Sequence, residues 1–328
     1  MTATIERITE GVGQAFCRVA IVGAGGMSRQ HIRAFQDVPG VQIVGVHSRT
    51  RSRAEGLAAE FGVPAVFDSI AAMHDATQAD LVVVSVPELS TNAVCKACFE
   101  HPWTALIEKP AGYNIIDAED IEAAVRAKNR RAYVALNRRQ YGSTRAVVAD
   151  LANQSAPRLI KVQDQEYPAA GLKGGQPQIV VDNWMYANAI HLIDFFTVFG
   201  RGKITDVVPV IHWDPKLPRY VAARISFDSG DIGLYDAVWN APGPWAVSVT
   251  TPDKRWEMRP VEKATWQVLG TRVLEPAAED PWDTAFKPGL RRQAELAVRA
   301  AAGQSTELPT LSDALVSMRL AQAIYAVA

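Results

Sequence analysis

Cysteine is scarce in this chain: Cys17, Cys95 and Cys98 are the only three among 328 residues. A sparse, odd set offers no disulfide framework and suits a reducing compartment, so a cytoplasmic location is expected. An excess of charge of either sign is missing too. Lys and Arg total 34 and Asp and Glu 35, a net charge of −1. That balance supplies no basic field for nucleic acid and no polybasic run for a membrane surface. No apolar stretch approaches the roughly 18 residues of a membrane span. Met1 to Gly11 has no apolar h-region and carries Glu6 and Glu10, so no secretory signal is expected. The formal glycosylation triplet Asn153-Gln154-Ser155 then carries no weight. What remains is an ordinary globular composition, 48% apolar and 21% charged, long enough for two domains at about 100–200 residues each.

Up to about residue 140, short apolar runs alternate with helical segments. The runs are Arg18–Val22, Val41–Val46, Leu81–Val86, Thr104–Ile107 and Ala132–Leu136. Helices are predicted over 27–36, 51–61, 91–99 and 117–128. Nearly continuous apolar strands separated by helices imply a parallel sheet covered on both faces, doubly wound by right-handed crossovers. Beyond residue 140 the strands alternate apolar and polar residues, as in Val221–Phe227 and Trp256–Arg259. This predicts a largely antiparallel sheet with one face free. Two helices close the chain, the last with apolar residues at 311, 314, 315, 318, 321, 322 and 325. The boundary falls between residues 1–140 and 141–328. Ala170–Gln176 reads as a flexible loop.

The first strand runs into Gly23-Ala24-Gly25-Gly26-Met27-Ser28 and then a helix. In that context the glycine pattern is a dinucleotide signature. Gly23 permits the tight turn, Gly25 lets backbone approach a pyrophosphate, and the helix start supplies free N–H groups. Ser28 occupies the third glycine position and is still small. An acid at the end of the second strand would select NAD. The residues there are His47-Ser48-Arg49-Thr50-Arg51. Arg49 and Arg51 suit a 2′-phosphate, so NADP is favoured over NAD.

Glu108-Lys109-Pro110 follows the fourth run, Asn137-Arg138-Arg139 the fifth, and His191-Leu192-Ile193-Asp194 comes later. With the glycine turn, in this order and spacing, these residues resemble the glucose-fructose oxidoreductase / inositol dehydrogenase / rhizopine catabolism (Gfo/Idh/MocA) family. The resemblance runs from about Arg18 to the last helix. It implies an N-terminal Rossmann domain joined to a C-terminal α/β domain whose open sheet forms homo-oligomer contacts. It also implies an NAD(P)-dependent dehydrogenase of a sugar, inositol or related polyol. Such a reaction moves a hydride to the nicotinamide while a base takes the hydroxyl proton and a cation steadies the alkoxide. By resemblance Lys109 is that cation and relay, His191 the acid/base, and Glu108 orients Lys109 or lines the cofactor site. Pro87 is expected beside the cofactor with Ser48.

Family members often carry an Asp four residues before this histidine; here that position is Ala187. The neighbouring Asn188 bonds hydroxyls but takes no proton. Trp184, Tyr186, Asn188 and Arg138 are candidate substrate contacts, Trp184 and Tyr186 alternatively being interface packing. Arg139 lines the site or steadies the domain junction, and Lys173 reads as a solvated loop lysine. No metal is expected: Cys95 and Cys98 lie mid-helix, and with His101 they complete no ligand set. Two other functions stay open, a cofactor-retaining epimerase, lyase or glycoside hydrolase, and a non-catalytic nucleotide or sugar sensor.

Overall fold

The structure, a computed structural model, describes residues 17–327. The stretch Met1 to Gly11 that carries the signal-peptide reading lies outside the described residues. The chain divides into two compact units. The first holds a six-stranded parallel sheet: β1 (Cys17–Val22), β2 (Val41–His47), β3 (Val66–Phe67), β4 (Leu81–Val84), β5 (Thr104–Glu108) and β6 (Ala132–Ala135), in the order β3-β2-β1-β4-β5-β6. The apolar runs form five of these strands because both faces are covered; β4, for example, is buried at every position. β3 and the helix Ile70–Thr77 that follows it escape a periodicity reading, since two residues carry no period. The sheet reverses its order between β1 and β4, which is where such folds bind ligands.

The unit boundary differs from the one the sequence suggests. The helix Leu290–Ala301 returns to the first unit, which comprises the described residues up to Gly112, Ile116–Asn137 and Thr284–Ser312. Its Leu290, Ala294, Ala297 and Val298 join the core of Val19, Ile21, Ile32 and Phe35. Arg291 Nε reaches Asp37 Oδ2 at 2.5 Å, and Arg131 Nη1 donates to the Ala300 carbonyl. An apolar stripe shows that a helix packs, without showing what it packs on.

The second unit holds eight strands: β7 (Leu159–Glu166), β8 (Ile204–Ile211), β9 (Tyr220–Phe227), β10 (Ile232–Trp239), β11 (Ala246–Thr250), β12 (Lys254–Met258), β13 (Ala264–Val268) and β14 (Glu275–Pro276). Their order is β14-β13-β12-β11-β7-β10-β9-β8. Neighbours are antiparallel except the β7–β10 pair. Residues 168–173 form a short helix, so the predicted flexible loop is corrected: Gly171 sits under the Trp184 ring, and a Cβ there would lie 2.5 Å from Trp184 Cζ3.

Two of the sequence motifs meet inside this unit. Arg139 holds Asp194 with two bonds, Nε–Oδ2 at 2.7 Å and Nη2–Oδ1 at 2.6 Å. Ser317 Oγ donates to the same carboxylate at 2.6 Å. Both ionic partners are largely out of water. Arg139 is therefore a brace within the second unit, and its pairing with Asp194 is what raises its basicity against the cost of burial. Asp194→Ala leaves that guanidinium buried without its counter-ion and is expected to cost about 3 kcal/mol or more, read from chemical denaturation. In the first unit Gly23 has φ +114°, and a Cβ would lie 1.9 Å from the Ser85 carbonyl oxygen. Gly23→Ala is expected to lower stability by about 2 kcal/mol or more in the same assay.

Candidate functional site

Register places the glycine turn and the lysine motif along one edge of the parallel sheet. Val22 pairs with both His47 and Val84, and Val84 pairs with Ile107. Gly23, Ser48, Ser85 and Glu108 therefore leave the sheet side by side at its carboxyl edge. Gly23 N–H donates to the His47 carbonyl and Ser85 N–H to the Val22 carbonyl, closing this corner. The helix Gly26–Gln36 starts at Gly25 with no side-chain cap and no acid in its first turn. Nothing lies within 4 Å of a Cβ built on Gly25 or Gly26. Unclaimed N–H groups, the positive end of the helix dipole and open space above the backbone fit a pyrophosphate. Ser28 is fully buried beneath this turn, which its small side chain permits, and Met27 packs on the core. Pro87 starts the helix Glu88–Phe99 at the same edge.

The acidic member of Glu108-Lys109-Pro110 has a partner that the motif did not announce. Glu108 Oε1 lies 2.6 Å from Nε2 of His31, a buried residue of the glycine-turn helix. The carboxylate thus ties the end of β5 to the helix that opens the nucleotide corner. At the end of β2, Arg49 is exposed. Arg51 is engaged by Glu55 at 2.8 Å and by Asp68, both of which strengthen its hold on the proton. Its charge is already matched, so a 2′-phosphate reading rests on Arg49.

In the second unit the predicted substrate contacts gather on the last residues of β7. Burial alternates along this strand: Ile160, Val162, Asp164 and Glu166 share the inner face. Trp184 Nε1 donates to Glu166 Oε2 at 2.7 Å and Asn188 Nδ2 donates to the same oxygen at 2.8 Å. Trp184, gripped by Glu166 and seated on Gly171, is a fixed ring. Arg138 lies 4.2 Å over the Trp245 ring, and Trp245 Nε1 donates to the Gln165 carbonyl. Asn188 belongs to a π-helical turn, Met185–Ala189, immediately before the helix Ile190–Ile193 that carries His191. Such turns recur at functional sites. Tyr186 and Ala187 are buried in it, and burial pushes the Tyr186 hydroxyl up to about 12.

The carboxyl pair on β7 is strongly perturbed. Burial pushes Asp164 up to about 6, against the pull of its hydrogen bonds. Glu166 is raised well above the ordinary carboxyl range by burial and then by Asp164 beside it. Sequence reading passed over both acids. Their signal was present: they continue the buried phase of an alternating strand. Lys109 falls in the first unit and His191 in the second.

Other candidates resolve locally. Lys173 is exposed at the end of its helix. Cys95 and Cys98 are buried within the helix Glu88–Phe99, and burial raises both thiols far from thiolate character. His74, Asp75 and His101 lie close enough to share an ion. The two imidazoles, however, stack at 4.3 Å and 20°, so their lone pairs run side by side instead of converging.

Residues 17–136 match the sequence model of the Gfo/Idh/MocA family, described as an oxidoreductase family with an NAD-binding Rossmann fold. The 4-carboxy-2-hydroxymuconate-6-semialdehyde dehydrogenase of Sphingobium sp. strain SYK-6 is 23% identical over 236 residues, covering 69% of this chain and 73% of that one. Inositol 2-dehydrogenase 1 of Saccharopolyspora erythraea is 36% identical over 117 residues, 35% and 34% of the two chains. The chain thus spans about a third of that relative's length. A dehydrogenase from Chromobacterium violaceum shares the fold with a TM-score of 0.80 at 17% identity, covering 94% of each chain. An oxidoreductase from Agrobacterium radiobacter, solved with NAD+, L-tartaric acid and magnesium, gives 0.75 at 16%, covering 94% and 95%. Over residues 17–136 the chain is thus similar to the NAD-binding Rossmann part of the Gfo/Idh/MocA oxidoreductase family.

Proposed function

We propose that the protein is an NAD(P)-dependent dehydrogenase that moves a hydride between the nicotinamide and a secondary hydroxyl or ketone of a sugar-like polyol. The observation that carries this is the carboxyl edge of the first sheet. An uncapped glycine-turn helix and Glu108-Lys109-Pro110 leave adjacent strands there. When bound, the nicotinamide supplies the hydride acceptor or donor. Gly23, Gly25, Gly26, Met27 and Ser28 form the turn that takes the pyrophosphate. Ser48, Arg49 and Pro87 line the same edge, with Arg49 toward a 2′-phosphate. Glu108, held by His31, fixes the chain from which Lys109 extends. The Lys109 ammonium stabilises negative charge developing on the substrate oxygen and relays its proton. His191 is the acid/base.

The second unit supplies the substrate surface: the Trp184 ring for an apolar sugar face, Asn188 for hydroxyls, and Arg138 at the margin. Tyr186, being buried, packs the unit and offers substrate no surface. One observation favours a second substrate class. Arg138 is a half-buried cation stacked on Trp245, and a relative matched over most of its length carries the name of a carboxylated semialdehyde dehydrogenase. A carboxylate-bearing hydroxy or carbonyl compound therefore belongs in any screen. The outer face of β8–β10 exposes Val208, Tyr220, Ile232 and Leu234, and we assign it to a homo-oligomer contact in a cytoplasmic enzyme.

Titration of nicotinamide fluorescence is expected to favour NADPH over NADH by about ten-fold, about 1.4 kcal/mol, with Arg49→Ala erasing the difference. Preference for NADH in the unaltered protein refutes the phosphate assignment. Gly25→Ala meets no steric obstacle in the folded chain. It is expected to weaken cofactor binding at least about ten-fold while leaving the denaturation midpoint in place, because the new methyl fills the pyrophosphate's approach. With a substrate found in a polyol and hydroxy-acid screen, Lys109→Met is expected to lower kcat by about 10²-fold or more with cofactor affinity little changed. Unchanged turnover would sink the assignment of Lys109.

A further inference from the structure

The donors around the β7 acids run in one direction. Trp239 Nε1 donates to Tyr325 Oη at 3.2 Å, and the Tyr325 and Tyr235 hydroxyls are 2.9 Å apart. Tyr235 Oη donates to Asp164 Oδ2 at 2.9 Å. Asp164 Oδ1 accepts from the Gln165 N–H at 2.8 Å. Each hydroxyl passes its proton toward Asp164, so Asp164 is the acceptor at which the chain terminates, which is the role of a carboxylate. Glu166 lies two residues along the same face, with no exposed surface. Its Oε2 takes the Trp184 and Asn188 donors, while its buried Oε1 meets no donor. A buried carboxylate oxygen without a donor beside a second carboxylate is costly. One proton on Glu166 Oε1, donated to Asp164, resolves both problems at once.

We propose that Glu166 is a positioning residue: a neutral carboxyl, its proton held by Asp164, that sets Trp184 and Asn188 toward a bound ligand. This deepens the dehydrogenase reading and, for the ligand, rests on it. Because Asn188 spends its amide N–H on Glu166, its carbonyl oxygen is left to accept from the ligand. The class so favoured is a hydroxyl donor beside an apolar ring face, as in a polyol. Glu166 does not replace the acid missing at Ala187, since a carboxyl that already carries its proton takes none from substrate. The titratable and charged groups on elements packed against this end of β7 are Asp164 itself, Tyr235, Tyr325, Tyr186, His191 and Arg138. Arg138 is the cation that favours ionised Asp164.

Glu166→Gln tests the proposal, because a glutamine amide reproduces a protonated carboxyl: its oxygen accepts from Trp184 and Asn188 and its NH₂ donates to Asp164. Three arms need no turnover. Infrared spectra of the intact protein near neutral pH are expected to show a protonated-carboxyl C=O band that disappears in E166Q. An unchanged spectrum overturns the proposal. The folded protein keeps the Glu166 proton at pH values where the unfolded chain, near about 4.3, has lost it. That contribution to stability is complete below the unfolded value and vanishes as pH rises through the folded one. The unaltered protein is therefore expected to lose Tm relative to E166Q on going from about pH 5 to about pH 8. Parallel curves contradict it. The Trp184 indole N–H resonance, identified by its loss in Trp184→Phe, is expected to stay in place in E166Q; displacement counts against the proposal. In the turnover arm Glu166→Leu, which leaves Trp184 and Asn188 without their acceptor, is expected to raise KM about ten-fold or more, with E166Q restoring most of it. A KM unmoved in Glu166→Leu overturns the proposal, as does a loss of about 10²-fold or more of kcat in E166Q, the mark of a general base. Success of these three arms without any turnover leaves Glu166 assigned and the dehydrogenase reading refuted.

Discussion

A carboxylate withdrawn from water must find a cation, a set of donors or a proton. How this chain meets that demand decides where its motifs meet. Asp194 meets it with Arg139, so a residue of one motif braces a residue of another. Glu108 meets it with His31, which links the lysine motif to the glycine-turn helix. Asp231, buried in the second unit, meets it with Arg201 at 2.6 Å and with the Arg158 N–H. Asp164 and Glu166 have no cation in hydrogen-bonding contact and share a proton instead. Among the described residues, the fully buried acids without a salt bridge are the two at the end of β7, where the aromatic and amide groups of the proposed substrate surface converge.

The nucleotide half works by leaving space and charge unfilled. Gly23 lets β1 turn against the Ser85 carbonyl, and the next helix begins without a cap or an acid. In an isolated fold those unclaimed N–H groups represent forgone stability. They are useful only to an anion, so a corner that is poor structurally is good for binding. The exposed Arg49 beside it and the matched Arg51 show why counting arginines in a loop is not enough: Glu55 and Asp68 decide which one has charge to offer.

Much of the first unit was legible because buried parallel strands write themselves as apolar runs and the glycine turn sits between strand and helix. β3 was too short to register. The helix Leu290–Ala301 was legible as a helix but not as a member of the first unit, because its Leu290 and Ala294 specify burial without specifying a partner. Ala170–Gln176 looked flexible because glycine signals mobility and close contact alike; under the Trp184 ring Gly171 means contact. Asp164 and Glu166 were missed for a related reason. Acids are read as solvent-facing, yet here they occupy the same strand phase as Ile160 and Val162. His31 likewise lies in the predicted helix 27–36, where the sequence shows no partner for its imidazole. Motif order along the chain was visible; the bonds of Arg139 to Asp194 and Glu108 to His31, which turn that order into architecture, needed the fold.

The most direct test of the account is isotopic. The protein would be incubated with reduced nicotinamide cofactor carrying deuterium at the transferable position, in both the phosphorylated and unphosphorylated forms. A panel of keto-sugars, keto-inositols and carboxylated carbonyl compounds would serve as acceptors, with products read by mass spectrometry. The account predicts deuterium on a carbon that has become a secondary alcohol in one compound class. Cofactor that binds tightly yet keeps its label across the whole panel would contradict it.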